Sequence, residues 1–200
     1  MKKLFLLLVA MATFNANAAI ISVTTDKAVY NVGDTVTATV SISDLFNANS
    51  EQTLFSAYTT MFTFDAAILE LMTGSTMSLS PYGPDLALSP FPAEPIFTPT
   101  ESGSSVGVMS SSINFIEASQ LGRNTIGLFT VNFIANAIGD SVLTMGQSEI
   151  SNPSAPFSPP TIVPTQNASF SVAQVPAPST GLLAALALAG LALSRRRANA

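Results

Sequence analysis

Between Ala19 and Val175 the apolar positions recur with a period of two, not three or four. Thr35 to Ile42 alternates strictly, with Val36, Ala38, Val40 and Ile42 on one face and hydroxyls on the other. Asn31-Val32-Gly33-Asp34 before it reads as a turn. Tyr58, Thr60, Phe62 and Phe64 define a second alternating strand, continued by a short apolar stretch from Ile68 to Met72. Phe129, Val131 and Phe133 alternate with Leu128, Thr130 and Asn132 in a third. Ile20–Thr24, Ser141–Met145 and Ser169–Val172 complete the clear set; Val106–Met109 and Ile113–Ile116 are weaker candidates. Ile116 to Leu121 is open to a second reading, as one helical turn. No long helical period occurs in this region. Short strands separated by turns predict an all-β, antiparallel β-sandwich, each strand burying one face against the opposite sheet.

Two segments interrupt the pattern. Thr73 to Gly107 contains Pro81, Pro84, Pro90, Pro92, Pro95 and Pro99. Proline cannot donate to a strand ladder, so this segment is expected to be a long loop or lobe without a central strand. Asn152 to Pro164 carries five more prolines and is expected to be an excursion before the last strand.

The two ends have another character. Met1-Lys2-Lys3 is a basic start, Leu4 to Ala12 is apolar, and Ala16-Asn17-Ala18 is a small-x-small cleavage site. That order is a secretory signal peptide over residues 1–18, cut after Ala18 and delivered through the Sec export machinery. At the other end, Val175-Pro176-Ala177-Pro178 precedes Gly181 to Leu193, 13 residues that are all Gly, Leu or Ala. Arg195, Arg196 and Arg197 follow as a basic stop. The run predicts an apolar helix of about 20 Å, shorter than the roughly 30 Å of a hydrocarbon core. Such a span suits a transient anchor, and the arginines place its end on the cytoplasmic side. A permanent membrane anchor is the alternative reading.

Setting both ends aside changes the charge. The body, residues 19–174, keeps only Lys27 and Arg123 as basic residues against twelve acids, a formal net charge of −10. A surface of that sign repels nucleic acid and anionic membranes, so neither is an expected partner. There is no His and no Cys in the chain. Ser-His-Asp and Cys-His nucleophile systems are thereby excluded, and zinc or copper sites lack their usual ligands. No phosphate-binding loop or dinucleotide fingerprint occurs.

Carboxylates are what remains for chemistry. Asp65 and Glu70 are candidates for a two-carboxylate glycoside hydrolase, against a plain role in turn capping and solubility. Asp26, Asp34, Asp44, Asp65 and Asp140 lie near predicted turns and could offer oxygen ligands to Ca²⁺, without the loop spacing that marks a calcium site. No catalytic residue, metal site or cofactor is therefore assigned. Asn167-Ala168-Ser169 matches a glycosylation triplet. Tyr30, Tyr58 and Tyr82 are the amphipathic aromatics, and Tyr82, in the proline-rich insertion, is the candidate for stacking on a sugar.

The C-terminal order of motif, apolar run and arginines, residues 175–200, resembles the PEP-CTERM sorting signal of exported bacterial proteins. Ala177 stands where the commonest form of that motif has Glu. The resemblance implies processing by an exosortase-type membrane protease. It further implies a passage through the inner membrane to the outer surface or extracellular matrix of a Gram-negative bacterium.

The body has a resemblance of its own, carried by the order of four blocks. These are Tyr30-Asn31-Val32-Gly33-Asp34-Thr35-Val36, Phe62 to Leu71, Ile126 to Phe133 and Gly139 to Thr144. Together they are similar to a cohesin-type domain, which implies a nine-strand, jelly-roll-type sandwich. No Asp/Asn-rich dockerin loop accompanies them. The expected function is a non-enzymatic envelope or matrix protein, an adhesion or binding module for extracellular polysaccharide or a partner protein.

Overall fold

The computed structural model describes residues 19–79, 96–111, 120–152 and 159–174. Both terminal signals, Tyr82, and the Ile113–Ile116 candidate strand lie outside those residues. The elements among the described residues are strands, apart from Gln120, which is helical and lies within the Ile116–Leu121 stretch read as a possible helical turn. The first sheet is built from β1 (Ile20–Thr25), β3 (Thr35–Ser43), β5 (Leu69–Leu71), β6 (Met77–Ser78), β9 (Ile126–Ala135) and β13 (Thr165–Gln166). The second contains β2 (Val29–Asn31), β4 (Ala57–Thr63), β7 (Ile96–Glu101), β8 (Ser105–Ser111), β10 (Gly139–Met145), β11 (Ser148–Ser151), β12 (Thr161–Val163) and β14 (Ala168–Ala173).

In the first sheet the order is β13-β1-β3-β9, with β5 and β6 following one another along the free edge of β9. In the second, β7-β8-β4 lie side by side, and β10 and β11 run in line along the other edge of β4. β14 and then β2 flank β10, while β12 flanks β11. Most pairings are antiparallel, as the pattern predicts. Two are parallel, β1 with β13 and β14 with β2. Both involve short segments at which the chain passes from one sheet to the other.

The alternation becomes burial as expected. Val36, Ala38, Val40 and Ile42 are completely buried. On β9 the inward set is Phe129, Val131, Phe133 and Ala135, and Leu128 is buried beside them. That extra buried residue follows from a bulge: the register passes from Val40 opposite Phe129 to Ser41 opposite Gly127. Aromatic rings join the sheets. Tyr58 of β4 stacks on Phe129 of β9 with centroids 6.5 Å apart, and Phe133 meets Phe64 at 4.8 Å and Phe62 at 6.3 Å. Two of the three tyrosines, Tyr30 and Tyr58, are thus core residues.

The proline-rich segment departs from the loop expected for it. It holds β6, β7 and the start of β8, and Phe97 of β7 packs edge-on to Phe129 at 6.4 Å. Proline is tolerated because, among the described residues, β7 pairs only with β8: Pro99 lies on the sheet margin, opposite Val108. Likewise β12 lies within the second proline-rich stretch, and β11 and β2 add pairings that the alternation did not reveal.

One end of the sandwich is closed by side-chain amides. Gln120, completely buried, donates through Nε2 to the Phe55 carbonyl at 2.7 Å and accepts the Phe55 N–H at 3.1 Å. Gln52 donates to the carbonyls of Gln120 and Arg123. At the opposite end three turns and the last strand are bonded together. Gly33 N–H donates to the Ala135 carbonyl, Asn136 N–H to the Ile68 carbonyl, and Val32 N–H to the Ala173 carbonyl.

Candidate functional site

Two surfaces stand out among the described residues: the outer face of the second sheet and a cleft beside β5. The outer face begins with the period of β4. Tyr58, Thr60 and Phe62 point inward, so Thr59, Met61 and Thr63 point to solvent. A central strand normally shields its outward side chains with those of its neighbours. Met61 has no such neighbours. Its partner on β8 is Gly107, and on the other side Gly146 N–H donates to the Met61 carbonyl at 2.7 Å. A Cβ on Gly146 would lie 3.5 Å from the Met61 methyl carbon. Flanked by Gly107 of β8 on one side and by Gly146, between β10 and β11, on the other, Met61 keeps 47% of its surface exposed.

The next row across the same face reads Thr98, Met109, Thr59, Glu149 and Ile162 on β7, β8, β4, β11 and β12. Met109 is 54% and Ile162 63% exposed. On the other side of the Met61 row lies a row of hydroxyls, Ser105, Thr63 and Thr144. The face is therefore mostly neutral, with three flexible or branched apolar side chains set among hydroxyls. Methionine adapts its shape to what it meets, which suits a contact surface.

The cleft is open, about 520 Å³, and is lined by Leu69, Glu70, Leu71, Glu101, Ser102 and Asn136 among others. Glu70 Oε2 accepts from Asn136 Nδ2 at 2.7 Å. Glu101 accepts from the Thr76 hydroxyl at 2.6 Å and from Gly74 N–H at 2.8 Å. Burial pushes the Glu101 carboxyl upward, but these donors outweigh it and hold the group below its ordinary 4.5. A carboxylate held ionised in this way is a poor general acid.

The structure thus regroups the carboxylates read from the sequence. Glu70 does line a cleft, but its acidic companion there is Glu101, not Asp65. Asp65 caps its own turn: Oδ1 accepts Ala67 N–H, and its carbonyl accepts Ile68 and Leu69 N–H. Glu101 gave no sequence signal because it ends an edge strand inside the proline-rich segment. Two of the aspartates considered for calcium already accept local hydrogen bonds. Asp26 accepts from the Tyr30 hydroxyl at 2.6 Å and from Thr37 N–H, and Asp34 accepts from Asn31 N–H. Among the described residues no three acidic side chains come together in a cation-sized group. Val175, Pro176, Ala177, Pro178, Arg195, Arg196, Arg197, Ala16, Ala18 and Tyr82 fall outside the described residues.

Comparison with known proteins bears on both parts of the chain. The PEP-CTERM protein-sorting motif matches residues 174–197, which marks the chain as exported and sorted to the cell envelope or surface. Curated proteins provide no match. Among solved structures the chain is similar to a non-cellulosomal cohesin from the archaeon Archaeoglobus fulgidus. That pair has 16% identity and a TM-score of 0.52, covering 78% of this chain and 92% of the other. A cohesin of an Acetivibrio cellulolyticus scaffoldin, solved in complex with a dockerin, gives 16% identity and 0.52 over 78% of this chain and 99% of that one. A type II cohesin module from another scaffoldin of the same organism gives 18% identity and 0.53 over 82% and 99%. At such identities the likeness is one of fold. The chain carries a PEP-CTERM protein-sorting motif directly behind a β-sandwich body with the cohesin fold.

Proposed function

We propose that the protein is an exported, non-enzymatic binding module that recognises a partner protein through the outer face of its second sheet, after exosortase-type processing of its C-terminal motif. The observation that carries this reading is Met61, exposed at the centre of that sheet because Gly107 and Gly146 flank it. Burying Met61, Met109 and Ile162 against a partner removes apolar surface from water, and the surrounding hydroxyls supply hydrogen bonds without charge repulsion. A cohesin of the same fold has been solved in complex with a dockerin, which makes a protein partner the first class to test. A body of net charge −10 favours a basic or neutral one.

A second reading is favoured by the cleft. Glu70, Asn136, Glu101 and Ser102 offer the carboxylate, amide and hydroxyl groups that hold sugar hydroxyls. Adhesion to extracellular polysaccharide would use that site. The Asp65–Glu70 pair read from the sequence does not assemble there, since Asp65 is engaged in its own turn. Titrating the purified protein against exported proteins and polysaccharide of the same cells separates the readings. Saturable protein binding lost in the Met61→Asp/Met109→Asp variant supports the first. Polysaccharide binding lost in Glu70→Gln supports the second, and no saturable ligand in either fraction contradicts both.

A further inference from the structure

The sorting motif begins with Gln174, one residue after β14 ends at Ala173. That strand is fixed on both sides, by β10 through Gly139 to Leu143 and by β2 through Val29 to Asn31. Its last residue is also held by the Val32 N–H, 3.1 Å from the Ala173 carbonyl. In sequence the matched motif follows the last strand directly. Fully extended, the chain from Ala173 reaches at most about 18 Å by Pro178 and about 29 Å by Gly181, where the apolar run starts. A folded body of this size has a radius of gyration of about 15 Å. An enzyme that grips Pro176-Ala177-Pro178 is therefore held within about 18 Å of the end of the sandwich from which β14 leaves.

That end has a defined surface. Val32 sits in the turn bonded to Ala173 and is 37% exposed. Ile138 precedes Gly139, the residue paired with Val172, and is 59% exposed. Asp34, Asp65, Glu70 and Asp140 surround them: Asp34 follows Gly33, Asp65 begins the turn bonded to Asn136, Glu70 accepts from Asn136, and Asp140 follows Gly139. Four carboxylates disfavour resting on an anionic bilayer, whose field extends about a Debye length of 8–10 Å. A protein surface with apolar contacts and basic groups fits the same end without that penalty.

We propose that this end of the sandwich, with Val32 and Ile138 as its apolar contacts and the four carboxylates around them, is a docking surface for the membrane enzyme that processes the motif. Recognition would then extend beyond the motif onto the folded body. The inference rests on the sorting reading of the tail.

The test uses the full chain in cells that contain the processing enzyme, with the processed fraction followed over time by intact mass. Val32→Asp/Ile138→Asp is expected to slow processing about tenfold, the scale of lost burial for two partly exposed aliphatic side chains. Val32→Ser/Ile138→Ser is expected to give a smaller slowing. Leu121→Asp, equally exposed at the opposite end of the body, is expected to leave the rate unchanged. Thermal unfolding of each variant checks that the fold is kept. Equal rates for wild type and the Val32/Ile138 pair overturn the proposal. So does slowing that tracks binding to phosphatidylglycerol vesicles, which would make the bilayer the occupant. If Val32→Asp/Ile138→Asp unfolds, the serine pair decides, and wild-type processing by it overturns the proposal. A wild-type chain that keeps its tail contradicts the sorting reading itself, and the docking proposal with it.

Discussion

Strand β4 shows two faces of one sheet under different constraints. Inward, Phe62 is completely buried and meets Phe133 of the opposite sheet at 6.3 Å. Outward, the adjacent Met61 stands between two glycines and is half exposed. The inner side chain is fixed by packing density; the outer one is left uncovered by the absence of neighbours. Packing is therefore concentrated on one face and exposed apolar surface on the other, the face proposed to bind, although the two side chains are consecutive in sequence.

Substitutions sharpen that contrast. Phe62→Ala should have the largest effect, destabilising the chain by about 3–5 kcal/mol, because it leaves a cavity between the sheets. Chemical denaturation measures this, and a loss below 1 kcal/mol would show that the inner face is not the structural one. Gln120→Ala should follow at about 1–3 kcal/mol, since it removes the two hydrogen bonds the buried amide makes to the Phe55 backbone.

Charge adds a pH dependence to the structural side. Burial raises the Asp26 carboxyl, but the Tyr30 hydroxyl and Thr37 N–H outweigh it and hold the group below 3.8; Glu101 is likewise held below 4.5. Their stabilisation is present above those ordinary values and is lost as the pH falls through the lower folded ones. The unfolding midpoint should therefore drop in acid, and Asp26→Asn with Glu101→Gln should flatten the drop. Tyr30 behaves in the opposite sense. Burial first, then its hydrogen bond to Asp26, pushes it up to about 12. Its contribution is complete below pH 10 and is lost as the pH rises through 12, so Tyr30→Phe should flatten the alkaline limb. The smallest stability change is expected from Met61→Ser, within about 0.5 kcal/mol, as for an ordinary surface position.

Much of the inner face was legible in the sequence, because burial of one side of a strand imposes a period of two. Val36 to Ile42 and Phe129 to Phe133 reveal themselves in that way. What stayed hidden depends on long-range partners. β7 is a strand because β8 offers an edge that tolerates Pro99, and nothing local in Ile96–Glu101 announces this. The bulge that buries Leu128 appears only when β9 is set against β3. The outer face was illegible for the same reason. Met61 is an unremarkable residue until Gly107, 46 positions later, and Gly146 are placed beside it. Of the two carboxylates offered by sequence, Glu70 lines the cleft and Asp65 caps a turn, a distinction set by Ala67, Ile68 and Leu69 amides.

The most direct test of a partner-binding outer face is one binding isotherm. Labelled wild-type protein is titrated with the exported protein fraction of its own cells, in parallel with the Met61→Asp/Met109→Asp variant. Saturable binding by wild type and at least a tenfold weaker isotherm for the variant, at an unchanged unfolding midpoint, is the predicted result. Superimposable isotherms for the two proteins would contradict it.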